Sequence, residues 1–216
     1  MTESFIVNNL AGILVVTSIV LILVKRLTTS ILVFALQSLI LVTIFFVIAY
    51  FMNAHELYSW AITSIITKVI LVPTIVYVAF RNIKETNIRY KDVPIPLIIL
   101  LAAAILLVCY FVAAPVKLPL RQDLKPVLAV SLALFFIGLM CIISQRNIVK
   151  QIFGYCLMEN GSHLTLALLA FRVPELVEIG VTTDAVFAVI IMAYFARRIH
   201  RDLRTLDANK LNALKG

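Results

Sequence analysis

The sequence predicts an all-α integral membrane protein: a bundle of seven transmembrane helices with the N-terminus outside and the C-terminus cytoplasmic. Three observations predict it. Hydrophobic residues make up 62% of the 216 and charged residues 14%, where a water-soluble domain is roughly half apolar and a quarter charged. Seven apolar runs each reach the length of about 20 residues that a span requires, with short connections between them. Basic residues fall almost wholly on one side of those runs.

The first run, Phe5 to Val24, opens with Met1, Thr2 and Glu3 and is followed by Lys25, Arg26 and Leu27. With no basic n-region before it and no small-residue cleavage site after it, it reads as a retained helix and not a signal peptide. Thr28 to Met52 forms the second run and Leu57 to Phe80 the third, with Lys68 at its midpoint. Ile95 to Val112 and Pro126 to Ser144 are the fourth and fifth. The sixth, Ile148 to Phe171, carries Glu159 at its midpoint and His163 one turn on. The seventh, Leu176 to Ala196, carries Asp184 a little outside its midpoint. The chain divides into a four-helix membrane region, 1–125, and a three-helix region, 126–216, ending in a basic cytoplasmic tail.

Orientation follows from Lys and Arg, which cytoplasmic loops retain. One side collects Lys25 and Arg26, then Arg81, Lys84, Arg89 and Lys91, then Arg146 and Lys150, then the tail from Arg197 to Lys215, 14 in all. The other side has 4: Lys117, Arg121, Lys125 and Arg172. The net charge of +8 is therefore mostly this asymmetry. No nucleic-acid partner is implied, since no basic stretch is interleaved with aromatic residues as a base-stacking platform would be. The tail suits either anionic headgroups or a cytoplasmic partner protein.

Catalytic signatures are missing from the sequence. Cys109, Cys141 and Cys156 are spread over three runs without a C-x-x-C pair, so neither a zinc site nor an iron–sulfur cluster is expected. Only His163 of the three histidines lies deep in a run, which leaves a haem without its usual pair of axial ligands. No phosphate loop, nucleophile elbow or zinc-protease motif occurs. The chain is expected to hold no catalytic site, no metal and no cofactor of its own.

What remains is a set of ionisable groups at membrane depth: Lys68, Glu159, His163 and Asp184. Insertion of Lys or Asp at a helix centre costs about 2.5–3.5 kcal/mol. Pairing inside the bundle offsets that cost, as does loss of charge through a shifted pKa. Two readings follow: a proton or ion relay, the usual use of such residues in pumps, or a static clamp holding helices in register. Removal of the Lys68 charge in Lys68→Met should preserve or favour insertion and uncouple ion movement on the relay reading, whereas failure of assembly would point to the clamp. Thr63, Ser64 and Thr67 make one side of the third run polar near Lys68. Pro73 cannot donate to the carbonyl of Val69 and is expected to kink the helix there. Gly154 and Gly161, seven residues apart on one face, should let a neighbouring helix approach closely. The hairpin turn at Pro174 sets the midpoints of the sixth and seventh helices near each other. Glu159 and Asp184 are then expected within reach of a linking water or two.

The stretches "SQRNIVKQIFGYCLMENGSHLTLALLA" and "GVTTDAVFAVIIMAYFARRIHR" resemble the three-helix subunit K of respiratory complex I and the related small membrane protein of multisubunit cation/proton antiporters. Arg146, Asn147, Gly154 and Asn160 match that pattern, and Asp184 stands before Arg197 as the family's third-helix carboxylate stands before a basic run. One departure is plain: subunit K has a glutamate two residues after the glycine, where this chain has Cys156, and the acid here is Glu159. That shift moves the carboxylate about 4.5 Å along the helix.

Over nearly its whole length, including "FIVNNLAG", "ITKVILVP", "VKLPL", "QIFGYCLMENGSHL" and "PELVEIG", the chain is similar to the hydrogenase-4 component E family. These are membrane-arm subunits of the second formate hydrogenlyase and of related group 4 nickel–iron hydrogenases. The resemblance implies a bacterial or archaeal cytoplasmic (inner) membrane. It implies partners too: antiporter-like and quinone-oxidoreductase-subunit-H-like membrane subunits, and hydrophilic subunits holding the nickel–iron site and iron–sulfur clusters. The implied task is to couple hydrogen evolution to movement of H⁺ or Na⁺, with Lys68, Glu159, His163 and Asp184 as pathway residues. The alternatives are a purely structural membrane anchor, a subunit of a multisubunit antiporter, or a small standalone transporter.

Overall fold

A computed structural model describes residues 2–83, 94–118, 122–170 and 175–208. The loop cations Lys84, Arg89, Lys91, Arg121, Arg172, Lys210 and Lys215, together with Phe171 and Pro174, lie outside the described residues. Regular structure among the described residues is helical. We label the long helices α1 (Thr2–Leu23), α2 (Leu27–Met52), α3 (Glu56–Phe80), α4 (Ile95–Ala113), α5 (Lys125–Ser144), α6 (Ile148–Leu169) and α7 (Glu175–Leu203). A short 3₁₀ turn, Gln122–Leu124, leads into α5.

Local chemistry explains where these helices start and stop. Pro96 and Pro126 sit in the first turns of α4 and α5, where a missing N–H costs nothing. Asn53 ends α2 in the left-handed conformation, φ 50°, one that asparagine tolerates better than most residues. Asn147 caps α6: its side-chain oxygen accepts from Val149 N at 2.8 Å and Lys150 N at 3.3 Å.

Among the described residues six helices are long and apolar enough to cross a membrane, α1 to α5 and α7. Their large apolar side chains point outward as well as inward; Leu36, Leu100, Phe111, Ile143 and Tyr194 are all exposed. Outward apolar surface on this scale suits lipid, not water. Helix α6 has comparable length but carries Lys150, Glu159, Asn160 and His163, and it is the most enclosed of the set: its Ile152, Leu157, Leu164 and Leu168 are fully buried.

The closest pairing is α5 against α6. A Cβ on Gly161 would stand 2.5 Å from Phe135 N and 2.7 Å from Ser131 O, and one on Gly154 would stand 2.9 Å from Gly138 O. The two backbones therefore touch along this seam. At one end of the bundle the chain returns after α7: Ile148 N donates to Leu206 O at 3.1 Å and Ala208 N to Arg146 O at 2.8 Å. This strap, an isolated bridge between Asn147 and Asp207, ties the end of the chain to the start of α6. Close by, the buried Lys150 donates to Leu21 O at 2.7 Å and Ser30 Oγ at 2.9 Å, joining α6 to the α1–α2 turn. Lys150, counted by sequence among loop charges, is thus a structural cation near the C-terminal end of α1.

Buried apolar residues form two clusters. One holds Leu14, Leu41, Phe45, Trp60, Val130 and Leu164; the other holds Leu21, Phe34, Val72, Ala133, Leu157 and Val189. On helix after helix the changeover is marked by buried polar residues: Ser18 on α1, Gln37 and Ser38 on α2, Lys68 on α3, Ser131 on α5, Asn160 and His163 on α6. A polar layer therefore crosses the bundle at mid-depth between two apolar halves.

Candidate functional site

Lys68 is the centre of this layer. The part of α3 that bears it, Ile65–Leu71, is wound as a π-helix, a wider turn in which each N–H reaches back five residues and which often marks functional positions. Val72 N donates to Thr67 O, which closes the wide turn. Pro73 follows immediately and has no N–H to resume the ordinary ladder from Val69, a physical reason for the widening. The helix thus meets the proline with a change of winding. Thr63 and Thr67 turn their hydroxyl protons back onto their own helix, to Ser59 O at 2.9 Å and Thr63 O at 2.7 Å.

Lys68 is partnered instead from α6. Its Nζ lies 2.9 Å from Glu159 Oε1 and 2.6 Å from His163 Nδ1, and His163 Nδ1 lies 3.5 Å from the same carboxylate oxygen. Glu159 and His163 are one turn apart, so both reach the same point of α3. The Lys68 and His163 side chains are almost fully buried, at 3% and 2% exposure, and Glu159 is at 10%. With Lys68 charged, its ammonium donates to Nδ1 of a neutral imidazole and pairs with the carboxylate, giving a cluster of zero net charge. The outer nitrogen of His163, Nε2, is buried without a hydrogen-bond partner among the described residues, and so are both polar atoms of the Asn160 side chain and the Ser64 hydroxyl. The His163 ring rests beside Trp60, centroids 6.2 Å apart.

On the other side of Glu159 is a small cavity of about 10 Å³, lined by Lys68, Tyr155, Cys156 and Glu159 and closed by Thr182 and Val186 of α7. That is about the space one water needs. The buried Thr182 hydroxyl has no hydrogen-bond partner among the described residues.

Asp184 does not join the cluster. It is exposed, and the reason is helical geometry: two residues from Thr182, it is turned about 200° away around the axis. The hairpin brings α7 to the cluster through Thr182, Ala185 and Val189, while the carboxylate points off the bundle. Tyr155, which lines the cavity with Glu159, lies within electrostatic range of both Glu159 and Asp184.

Sequence reasoning passed over Gln37, which donates to Ser18 Oγ at 2.8 Å inside the same layer. It is the one amide in an apolar run of 26 residues, and that was the available signal. Among the described residues no three His, Cys, Asp or Glu side chains are grouped to hold a metal ion. The three cysteines are buried and unpaired.

Residues 126–216 match the family of NADH-ubiquinone/plastoquinone oxidoreductase chain 4L. Across its full length the chain is 56% identical to hydrogenase-4 component E of Escherichia coli strain K12, with all of both chains covered. The same holds for hydrogenase-4 component E of Shigella flexneri. An uncharacterized protein of Mycobacterium tuberculosis is 28% identical over 54% of this chain and 53% of its own. No solved structure matches the chain.

Proposed function

The chain belongs to the hydrogenase-4 component E family, and on that premise we propose that it is a non-catalytic membrane-arm subunit of an ion-translocating hydrogenase complex. The Lys68–Glu159–His163 cluster serves as a buried proton station in it. In this reading all seven helices cross the bilayer, α6 included, with the N-terminus outside and the tail cytoplasmic, in a bacterial or archaeal inner membrane. The 126–216 region is the subunit-K-like unit and 1–125 an added four-helix region. Partners are antiporter-like and subunit-H-like membrane proteins and the hydrophilic subunits that carry the nickel–iron and iron–sulfur groups.

One observation carries the relay: three ionisable groups in mutual contact, from two helices, enclosed at mid-depth. A proton that arrives on Glu159 or His163 breaks the charge balance with Lys68. The surplus charge is costly in a medium of low dielectric, so the cluster favours passing a proton on over keeping it. Tyr155 and the one-water cavity against Thr182 give the proton a way toward α7. Asp184, a carboxylate exposed at membrane depth, calls for a protein or aqueous neighbour, because charged groups there avoid lipid. A partner protein against that face of α7 provides one.

A second reading rests on the same ion pair, which also stitches α3 to α6 as a clamp. Glu159→Gln in the assembled complex separates the two, since glutamine keeps the shape but cannot carry the proton. Hydrogen evolution should continue while coupled proton uptake into inverted vesicles falls to background. Unchanged uptake in an intact complex would leave only the clamp.

A further inference from the structure

A groove of about 860 Å³ runs between the second half of α3 and the second half of α7, and its lining includes none of Lys68, Glu159 and His163. Its volume falls within the usual range of a ligand site, roughly 300–1,000 Å³. Its walls change character along the helix axes. Toward the middle of the bundle they are apolar, made by Ile75, Val78, Ile190 and Ala193. At the end of the bundle they are basic, with Arg197, Arg198, Arg201 and Arg204 at the rim and Tyr194 where the two zones meet.

Among the described residues no carboxylate lines the groove. Asp202, which flanks it, is taken up by its own helix: Arg198 Nε donates to it at 2.7 Å and Arg201 Nε at 3.3 Å. Arg197 and Arg204 have no carboxylate partner among the described residues, and the His200 Nδ1 atom beside them is buried without a hydrogen-bond partner there. Arg204 is held at the mouth by the chain itself. It takes the left-handed conformation, φ 54°, at the point where α7 gives way to the strap bonded to Arg146 and Ile148. An arginine held in that strained backbone is fixed by its surroundings.

We propose that this groove binds one anionic phospholipid, its phosphate at Arg197 and Arg204 and an acyl chain against Ile75, Val78 and Ile190. An apolar wall ending in guanidinium groups, two of them (Arg197 and Arg204) without a carboxylate partner among the described residues, at the end of a membrane-embedded helix pair matches the polarity of such a lipid along its length. Basic pockets between membrane helices are a recurring form of headgroup site. A soluble acidic partner has no use for the apolar half, and a neighbouring apolar helix has none for the arginines. The site is independent of the proton station.

The test is native mass spectrometry of the full chain, released from detergent after exposure to equal concentrations of phosphatidylglycerol and phosphatidylethanolamine. Retention of one phosphatidylglycerol should exceed that of phosphatidylethanolamine by about tenfold, given the strength of single basic contacts at a membrane surface. The preference should fall to near parity in Arg197→Gln/Arg204→Gln, and millimolar inorganic phosphate should not displace the lipid. Val78→Trp, at an exposed wall position, fills the groove without touching the rim and should also reduce retention. Equal retention of the two lipids, or a preference untouched by both variants, overturns the proposal. Displacement by phosphate alone would make this a free-phosphate site. A partner protein that cross-links to cysteine at Val78 in the assembled complex and leaves no retained lipid would give the groove to that protein instead.

Discussion

At the scale of single residues, Lys68 and Glu159 depend on each other. Removing one member of a buried pair leaves the other charged and uncompensated, at about 3–5 kcal/mol, whereas removing both leaves no such charge. The sequence alone suggested that loss of the Lys68 charge would favour insertion. The contact at 2.9 Å alters the expectation for the folded state. Lys68→Met should lower stability in detergent by about 3 kcal/mol, and Lys68→Met with Glu159→Leu should regain most of it. A thermal-unfolding comparison of parent, both singles and the double checks this, and a single variant as stable as the parent would remove the pair as an energetic contact. Lys68, Glu159 and His163 were legible because an ionisable group within an apolar run is conspicuous wherever it falls. Their meeting was not legible: 95 positions separate Lys68 from His163, and no periodicity relates two helices that far apart. Asp184 shows the limit in another way. The hairpin fixes how deep it lies but not the direction it faces, and it faces out.

At the scale of elements, hydropathy placed the helices to within a few residues, because the length of an apolar run and the position of the next proline or basic pair limit both ends. Helix α7 is the main exception, continuing to Leu203 where the apolar run stops at Ala196. Its Arg198 and Asp202, an i,i+4 pair, support that extension. The π-winding of α3 escaped the sequence reading, since Pro73 announces a missing bond but not how the turns before it will respond. The α5–α6 seam gives a prediction at this level. A methyl group on Gly161 would meet the backbone of Phe135 and Ser131, which has no rotamer with which to yield. Gly161→Ala should therefore force the helices apart and cost about 1–3 kcal/mol. Gly12→Ala, where an added Cβ meets nothing within 4 Å, is the matched control. Equal thermal stability of the two variants would show that the seam tolerates separation.

At the scale of the whole molecule the question is how many times the chain crosses, and α6 decides it. Among the described residues six helices have the apolar length for a span, and α6 differs from them because the polar residues it carries face the interior that α5 and the other helices build around it. A helix wrapped by its neighbours need not be apolar all round, and charged side chains within membrane bundles turn inward. Parity makes this testable. If all seven cross, the α4–α5 connection lies opposite both the end of α3 and the end of α7; if α6 does not cross, the end of α7 moves to the side of the α4–α5 connection. Lys117, Arg81 and Leu203 are exposed at those three places, and the native Cys109, Cys141 and Cys156 are buried, which keeps background labelling low. Single cysteines at the three positions, treated with an impermeant maleimide in intact cells, should label at 117 and be protected at 81 and 203 until the membrane is opened. Labelling at 203 together with 117 would remove α6 from the set of spans. Labelling at 81 and 203 with protection at 117 would invert the chain, against the excess of basic residues that sets orientation.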